Sequence, residues 1–202
     1  MDLLLLALLV ASSAWALKTR DQRRRVALLG SHLARYQIEK HMETLTQGYL
    51  RALGESDPQR SEPIWHMLRS TEQELCEQFS RFVASFARAQ EADTRVSRLP
   101  VYLPFAARLL PNLTFDMRLA LAIHARGINR AVHGSAHLSP KAMAFRLSAE
   151  LFLMQHTCHW FCKSKTVASA RMLARHKTSY EQLVAAVGPD TRAAYCAMVG
   201  RV

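Results

Sequence analysis

Apolar residues along this chain fall into three kinds of pattern. Residues 3–17 are continuously apolar except for Ser12 and Ser13, with Trp15 near the end of the run. Beyond them the apolar positions recur every three or four residues. Val26, Leu29, Leu33 and Tyr36 make one stripe, and Ile38, Met42, Leu45 and Tyr49 make another. Ile64, Leu68, Leu75, Phe79, Phe82 and Phe86 make a third, with Glu72, Glu74, Glu77 and Arg81 expected on its wet side. Such spacing is that of an α-helix with one buried face. The third pattern covers residues 143–162, where only Arg146 and Glu150 carry formal charge. Met143, Leu147, Leu151, Met154, Cys158 and Phe161 lie on one side of this helix, and Phe145, Ala149 and Phe152 on the other. A helix that is apolar all round is enclosed by protein or lipid. These periodicities, with no alternating β-branched runs, predict an all-α fold built around one long central helix.

Punctuation residues divide the pattern into elements. No proline interrupts the chain before Gly54, so the first helix is expected to continue past the apolar run; Glu55-Ser56-Asp57-Pro58 then reads as a turn. The next helix is expected from Ser61-Glu62-Pro63 to about Ala92. Residues 98–111 carry Pro100, Pro104 and Pro111 among Val101, Tyr102, Leu103, Phe105, Leu109 and Leu110. Proline biases its neighbours toward extended geometry, so this is an apolar connector rather than a helix. A strap across the helical core is the favoured reading, and a loop touching a membrane surface is the alternative. Thr114 is expected to cap a helix over residues 115–132, with Leu119, Leu121, Ile123 and Ile128 inward and Gly134-Ser135 ending it. Ser139-Pro140 opens the long helix, which is expected to run unbroken to Lys177. Ser179 with Gln182 resembles a capping box for a short helix ending at Gly188. Pro189-Asp190 is expected to turn the chain into a last helix over residues 191–199.

Lys18, Arg20, Arg23, Arg24 and Arg25 follow the apolar run directly. A cleaved signal peptide would place its positive charge ahead of the run; Ala14-Trp15-Ala16 supplies a small-residue cleavage site, yet only Asp2 and the amino terminus precede it. Positive charge stays in the cytoplasm, so the favoured reading is a single-pass anchor over residues 1–19, with its N-terminus outside and residues 20–202 as a cytoplasmic helical domain. The run is short for a bilayer, and Lys18 can snorkel to extend it. This order of segments resembles the topology of many bacterial inner-membrane proteins.

Charge sharpens the picture. The formal net charge is +11. Residues 1–100 hold 14 basic and 12 acidic side chains, and residues 101–202 hold 13 and 4, so the second half carries nearly all the excess. An anionic neighbour is implied, either lipid headgroups or an acidic protein. Nucleic acid is the weaker expectation, because the charges are scattered and no binding module is present. Arg23, Arg24, Arg25, Lys163, Lys165, Arg171, Arg175 and Lys177 are the candidate contacts. Cys76, Cys158, Cys162 and Cys196 form no disulfide framework, which suits a reducing compartment.

The densest group of metal-capable side chains is His156, Cys158, His159 and Cys162. On one helix Cys158 and Cys162 lie about 40° apart while His156 lies about 160° from Cys158, so the four cannot converge on one tetrahedral ion. His156 with His159, or His159 with Cys162, can offer two ligands to a site completed by His124, His133 or His137. Glu150 is expected on a buried face, where a carboxylate must find a partner or take up a proton, and a basic residue from another helix is the expected partner. No P-loop, G-x-G-x-x-G, G-x-S-x-G or H-E-x-x-H is present, so nothing argues positively for an enzyme. The expected function is non-enzymatic: a membrane-anchored helical binding, scaffold or accessory subunit without a cofactor. The alternative is a helical metal, haem or redox protein using His156, His159 and Cys162.

Overall fold

A computed structural model describes residues 2–102, 109–134 and 138–200. The first helix, α1 (Asp2–Leu33), passes without a break through the apolar run and the arginine cluster. Residues 3–18 are exposed on every side, and burial begins only beyond them, reaching full burial at Leu29. This helix is long and apolar enough to cross a membrane. It does not continue to Gly54. It ends at Leu33, and α2 (Ile38–Gly54) starts after a turn. Tyr36 and Ile38 are two positions apart, about 200° round a helix, so both reach the core only if the chain turns there. Tyr36 packs edge-on against Phe82 (ring centroids 6.3 Å apart), and Ile38 is buried.

Helix α3 (Pro58–Phe86) starts three residues earlier than its prolines suggested. Asp57 caps it by accepting from the Gln59 amide at 2.9 Å, and Pro58 sits at the first helical position. It pairs with α2, and Gly48 leaves room for the Leu68 side chain to lie against the α2 backbone. Phe79, Phe82 and Phe86 form an aromatic ladder down its inner face that ends on Phe161. Glu72 is buried rather than wet.

Beyond Phe86 the chain departs from the expected helix. The helix ends at Phe86, not near Ala92, and is followed by the short α4 (Glu91–Thr94) and β1 (Arg95–Ser97). β1 pairs antiparallel with β2 (Thr114–Asp116), with Val96 opposite Phe115. Thr114 is therefore the first residue of a strand, and Asp116 caps α5 (Met117–His133). The Asp116 carboxylate accepts from the Arg118 amide and guanidinium and from the Thr94 hydroxyl. That cluster of bonds fixes the helix start two residues late. Three-residue strands are too short to show a period of two. On α5, Leu121, Ile123 and Ile128 are buried as expected, but Leu119 points to solvent. Leu103, Pro104, Phe105 and Ser135 lie outside the described residues.

The central element is α6 (Pro140–Cys162), capped by Ser139 and in contact with α1, α2, α5, α7 and α8. Ala144, Leu147, Ala149, Leu151, Leu153, Met154, Trp160 and Phe161 are buried around its circumference, while Phe145 stands out into solvent. The expected single helix to Lys177 breaks here. Lys163 leaves helical geometry at φ −132°, and the Ser164 hydroxyl accepts from the Val167 amide to cap α7 (Lys165–His176). The chain then folds back along α6, so that His156 meets Ser169 and Gln155 meets His176. Reversal buries Ala168 and Met172, which a straight extension would leave in water. A serine that can bond the backbone two or three residues on makes such a break cheap. Lys177, in left-handed geometry at φ 54°, ends α7. The capping box at Ser179 and Gln182 forms with both bonds and opens α8 (Tyr180–Ala186). Pro189 and Asp190 belong to the first turn of α9 (Pro189–Val199) rather than to a loop before it. The fold is an all-α bundle with, among the described residues, one two-stranded pairing of β1 and β2.

Candidate functional site

The histidines and cysteines of α6 go to separate places. His156 is fully buried; its Nε2 lies 3.0 Å from the Ser169 hydroxyl, and its ring stacks on Tyr180 at 4.5 Å. His159, about 60° round the helix, meets a more exposed part of α7, where the Arg171 guanidinium lies 3.3 Å from its Nδ1. Cys158 is held against the Met154 sulfur. Burial pushes the Cys162 thiol up to about 11, against the nearby positive charges of Arg25, Lys163 and Arg171. Such a thiol is not a ready nucleophile at neutral pH. All four cysteines are free. Among the described residues, no three His, Cys, Asp or Glu side chains converge as metal ligands. His133 bonds its own helix near the surface, and His137 lies outside the described residues.

His124 is instead part of a second buried polar group. Its Nε2 lies 2.9 Å from the Thr157 hydroxyl, which is 3.1 Å from the Tyr195 hydroxyl. This links α5, α6 and α9 through the centre of the bundle. Burial lowers both His124 and His156 to about 3, so both are neutral at ordinary pH. Tyr49 and Glu72 form another such pair, with the Tyr49 hydroxyl donating to Glu72 Oε1 at 2.6 Å. Sequence periodicity missed Glu72 because its glutamate neighbours mark the wet face; the only cue was its place one turn from Leu68 and Leu75 on the apolar stripe.

Glu150 is buried, as expected, but its bonded partner is backbone. Oε1 accepts from the Gly188 amide at 2.9 Å, with Arg130 and Arg146 near enough to favour its charge. Gly188 precedes α9 and offers that helix no side-chain cap, so Glu150 supplies the missing anion from another element. Burial raises the Glu150 pKa despite these partners. Gly127 and Thr191 close around the carboxylate, and a Cβ at Gly127 would overlap both. Glu150→Ala strands the Gly188 amide and is expected to cost about 1–3 kcal/mol of stability. Denaturant titration checks this, with loss of amide protection concentrated in α9 rather than in α3.

The third grouping lies where α1 leaves its exposed apolar run. Asp21 accepts from Arg25 Nε at 2.8 Å and from the Tyr102 hydroxyl at 3.0 Å. The Arg25 guanidinium also lies over the Phe161 ring, 5.4 Å from its centroid, and reaches the Phe161 carbonyl. Lys163 Nζ donates to Gln22 Oε1 at 2.9 Å. The Pro100 carbonyl accepts from both the amide and the hydroxyl of Thr166. Lys165 sits over Tyr180 and Trp160, with Nζ 4.6 and 5.4 Å from their centroids. The first turns of α1 past Lys18, the end of α6, the start of α7 and residues 100–102 thus meet at one level.

This sorts the basic residues singled out by sequence. Lys163 and Lys165 lie at that level, and Arg23 is exposed beside it with no carboxylate within ion-pair distance among the described residues. Arg24 is bound to Asp93 at 2.8 Å and Arg25 to Asp21. Because α7 runs back along α6, Arg171 stands beside His159, and Arg175 and Lys177 lie further along. Reading one straight helix could not separate these two groups. Tyr102 and Gln22 were not legible as contacts, since their partners are 81 and 141 positions away. No family model, curated protein or solved structure matches this chain.

Proposed function

We propose that this chain is a single-pass membrane protein of the inner membrane, with its N-terminus outside and its helical body at the cytoplasmic face. It works there by binding, as an accessory or scaffold subunit. The observation that carries this reading is the exposed helix over residues 3–18, which is continuous with the bundle and followed at once by Arg20, Arg23, Arg24 and Arg25. About 15 apolar residues span roughly 22 Å as helix, less than the ~30 Å hydrocarbon core, so local thinning and snorkelling of Lys18 complete the crossing. Lys163, Lys165 and Arg23 near the base support contact with anionic headgroups, where a Lys or Arg at the surface contributes about 1 kcal/mol. Arg171, Arg175 and Lys177 remain open to an acidic partner. This binding role accounts for the lopsided charge without any catalytic group.

The test is fractionation with a reporter fused after Val202. The full chain is expected in the membrane fraction, with a reporter that works only in the cytoplasm active. Leu6→Arg with Leu9→Arg should release it, since each charge at mid-membrane costs about 2.5–3.5 kcal/mol. Export of the fusion, or a mature chain beginning at Leu17, would overturn the reading.

A further inference from the structure

We propose that the segment leaving β1, residues 98–102, is a second membrane contact: Val101, beside Tyr102, enters the headgroup layer next to α1 and fixes how the bundle sits on the leaflet. This rests on the anchor reading above.

The geometry begins at the end of the apolar run. Asp21 is four residues past Leu17, about 6 Å along the helix axis. A bilayer of about 40–45 Å with a ~30 Å hydrocarbon core leaves about 5–8 Å of headgroup on each side. Asp21 and Gln22 therefore lie at headgroup depth, and so do the groups bonded to them, the Tyr102 hydroxyl and the Lys163 ammonium. Tyrosine and lysine are the side chains suited to that layer, the first by its apolar ring with a polar tip and the second by its long stem.

Residues 98–102 are held there at both ends. The Arg98 amide donates to the Leu113 carbonyl, while Pro100 is pinned to Thr166 and Tyr102 to α1. Between those two polar pins Val101 is 64% exposed. Leu109 is 69% exposed, and Leu110 and Leu113 are also open to solvent. Val101 packed against the core would be covered, whereas Val101 facing lipid stays open, as it is here. Two polar pins beside the anchor with an apolar side chain turned outward are what a peripheral lipid contact requires. Lys163 and Arg23 on the same level favour an anionic leaflet.

Tryptophan depth in nanodiscs tests this on the full chain. The lipid is phosphatidylcholine with phosphatidylglycerol, with or without bromine near the top of the acyl chains. Trp160 is buried and is kept throughout. A W65F chain reports Trp15 in the anchor. W15F/W65F chains carrying Val101→Trp or Leu50→Trp report the segment and a distant control. Leu50 adjoins Tyr49, whose partner Glu72 lies 13 residues, about 20 Å, along α3 from the Ser85–His32 contact. The expected result is loss of emission with a shift to shorter wavelength at Val101→Trp and at Trp15, and neither at Leu50→Trp. An unquenched Val101→Trp beside a quenched Trp15 overturns the segment's contact and leaves the anchor standing. Equal quenching at Val101→Trp and Leu50→Trp also overturns it. An unquenched Trp15 overturns the anchor and the segment's contact together.

Discussion

Acidification below about pH 6.5 is expected to unfold the bundle steeply, driven by His124 and His156. Both are buried between α5, α6, α8 and α9, and burial lowers each from 6.5 to about 3. Lys165 and His159 also oppose a charge on His156, while Glu181 favours it weakly. The unfolded chain binds a proton at each histidine near pH 6.5 and the folded chain does not until about pH 3. Stability therefore falls as pH drops through that window, by up to about 1.4 kcal/mol per pH unit for each histidine. Across the window this amounts to several kcal/mol, comparable with the whole stability of an ordinary domain. Glu72 and Glu150 act the other way, because burial raises their pKa and protonation relieves a buried charge. Their opposing slope lies between the ordinary carboxylate value and the raised one. Denaturant midpoints of the detergent-solubilised protein between pH 7 and 4 measure the slope. His124→Gln and His156→Gln should each flatten it, whatever their effect at pH 7. A slope unchanged in both variants would show that the histidines do not control acid unfolding.

Phe161→Ala is expected to lower stability by about 3–5 kcal/mol, the range for removing a buried phenylalanine. Phe161 is fully buried where three elements meet. Its ring stands edge-on to Phe86 at 6.0 Å, and the Arg25 guanidinium lies over its other side. The loss therefore exceeds the cavity alone, since an edge-to-face pair and a cation–π contact each contribute about 0.5–1.5 kcal/mol beyond area burial. It should also loosen α1 from the body, because Arg25 holds the ring and the carbonyl of the same residue. Trypsin cleavage after Arg23, Arg24 or Arg25 is expected to quicken in this variant. Leu119→Ala, at an exposed position, should change stability by no more than about 0.5 kcal/mol. Thermal unfolding and timed digestion of both variants check the pair.

Much of this architecture was legible in one dimension, and the boundary is physical. The 3.6-residue repeats of Leu68, Leu75, Phe79, Phe82 and Phe86 specify both a helix and its buried face, because neighbours one turn apart share an environment. The all-round apolar character of residues 143–162 likewise marked the central helix and the burial of Glu150. Caps at Ser139 and Ser179 were readable because their bonds close within three residues. The exposed run ahead of the arginines is a property of composition alone.

What tertiary structure decided depends on contacts between distant positions. The break at Ser164 has a local cap, but it is favoured because folding back buries Ala168 and Met172 against α6. The turn after Leu33 likewise lets Tyr36 pack on Phe82 while Ile38 is buried. Glu72 is buried because Tyr49 on another helix donates to it, and Glu150 caps a helix that begins 38 positions later. The pairing of Val96 and Phe115 joins segments 19 positions apart, each too short to show a period. The same holds for the base of α1, where Tyr102 and Lys163 meet Asp21 and Gln22. A pattern along the chain records which face of an element is apolar. It does not record which other element covers that face, because that is settled by the summed packing of all of them.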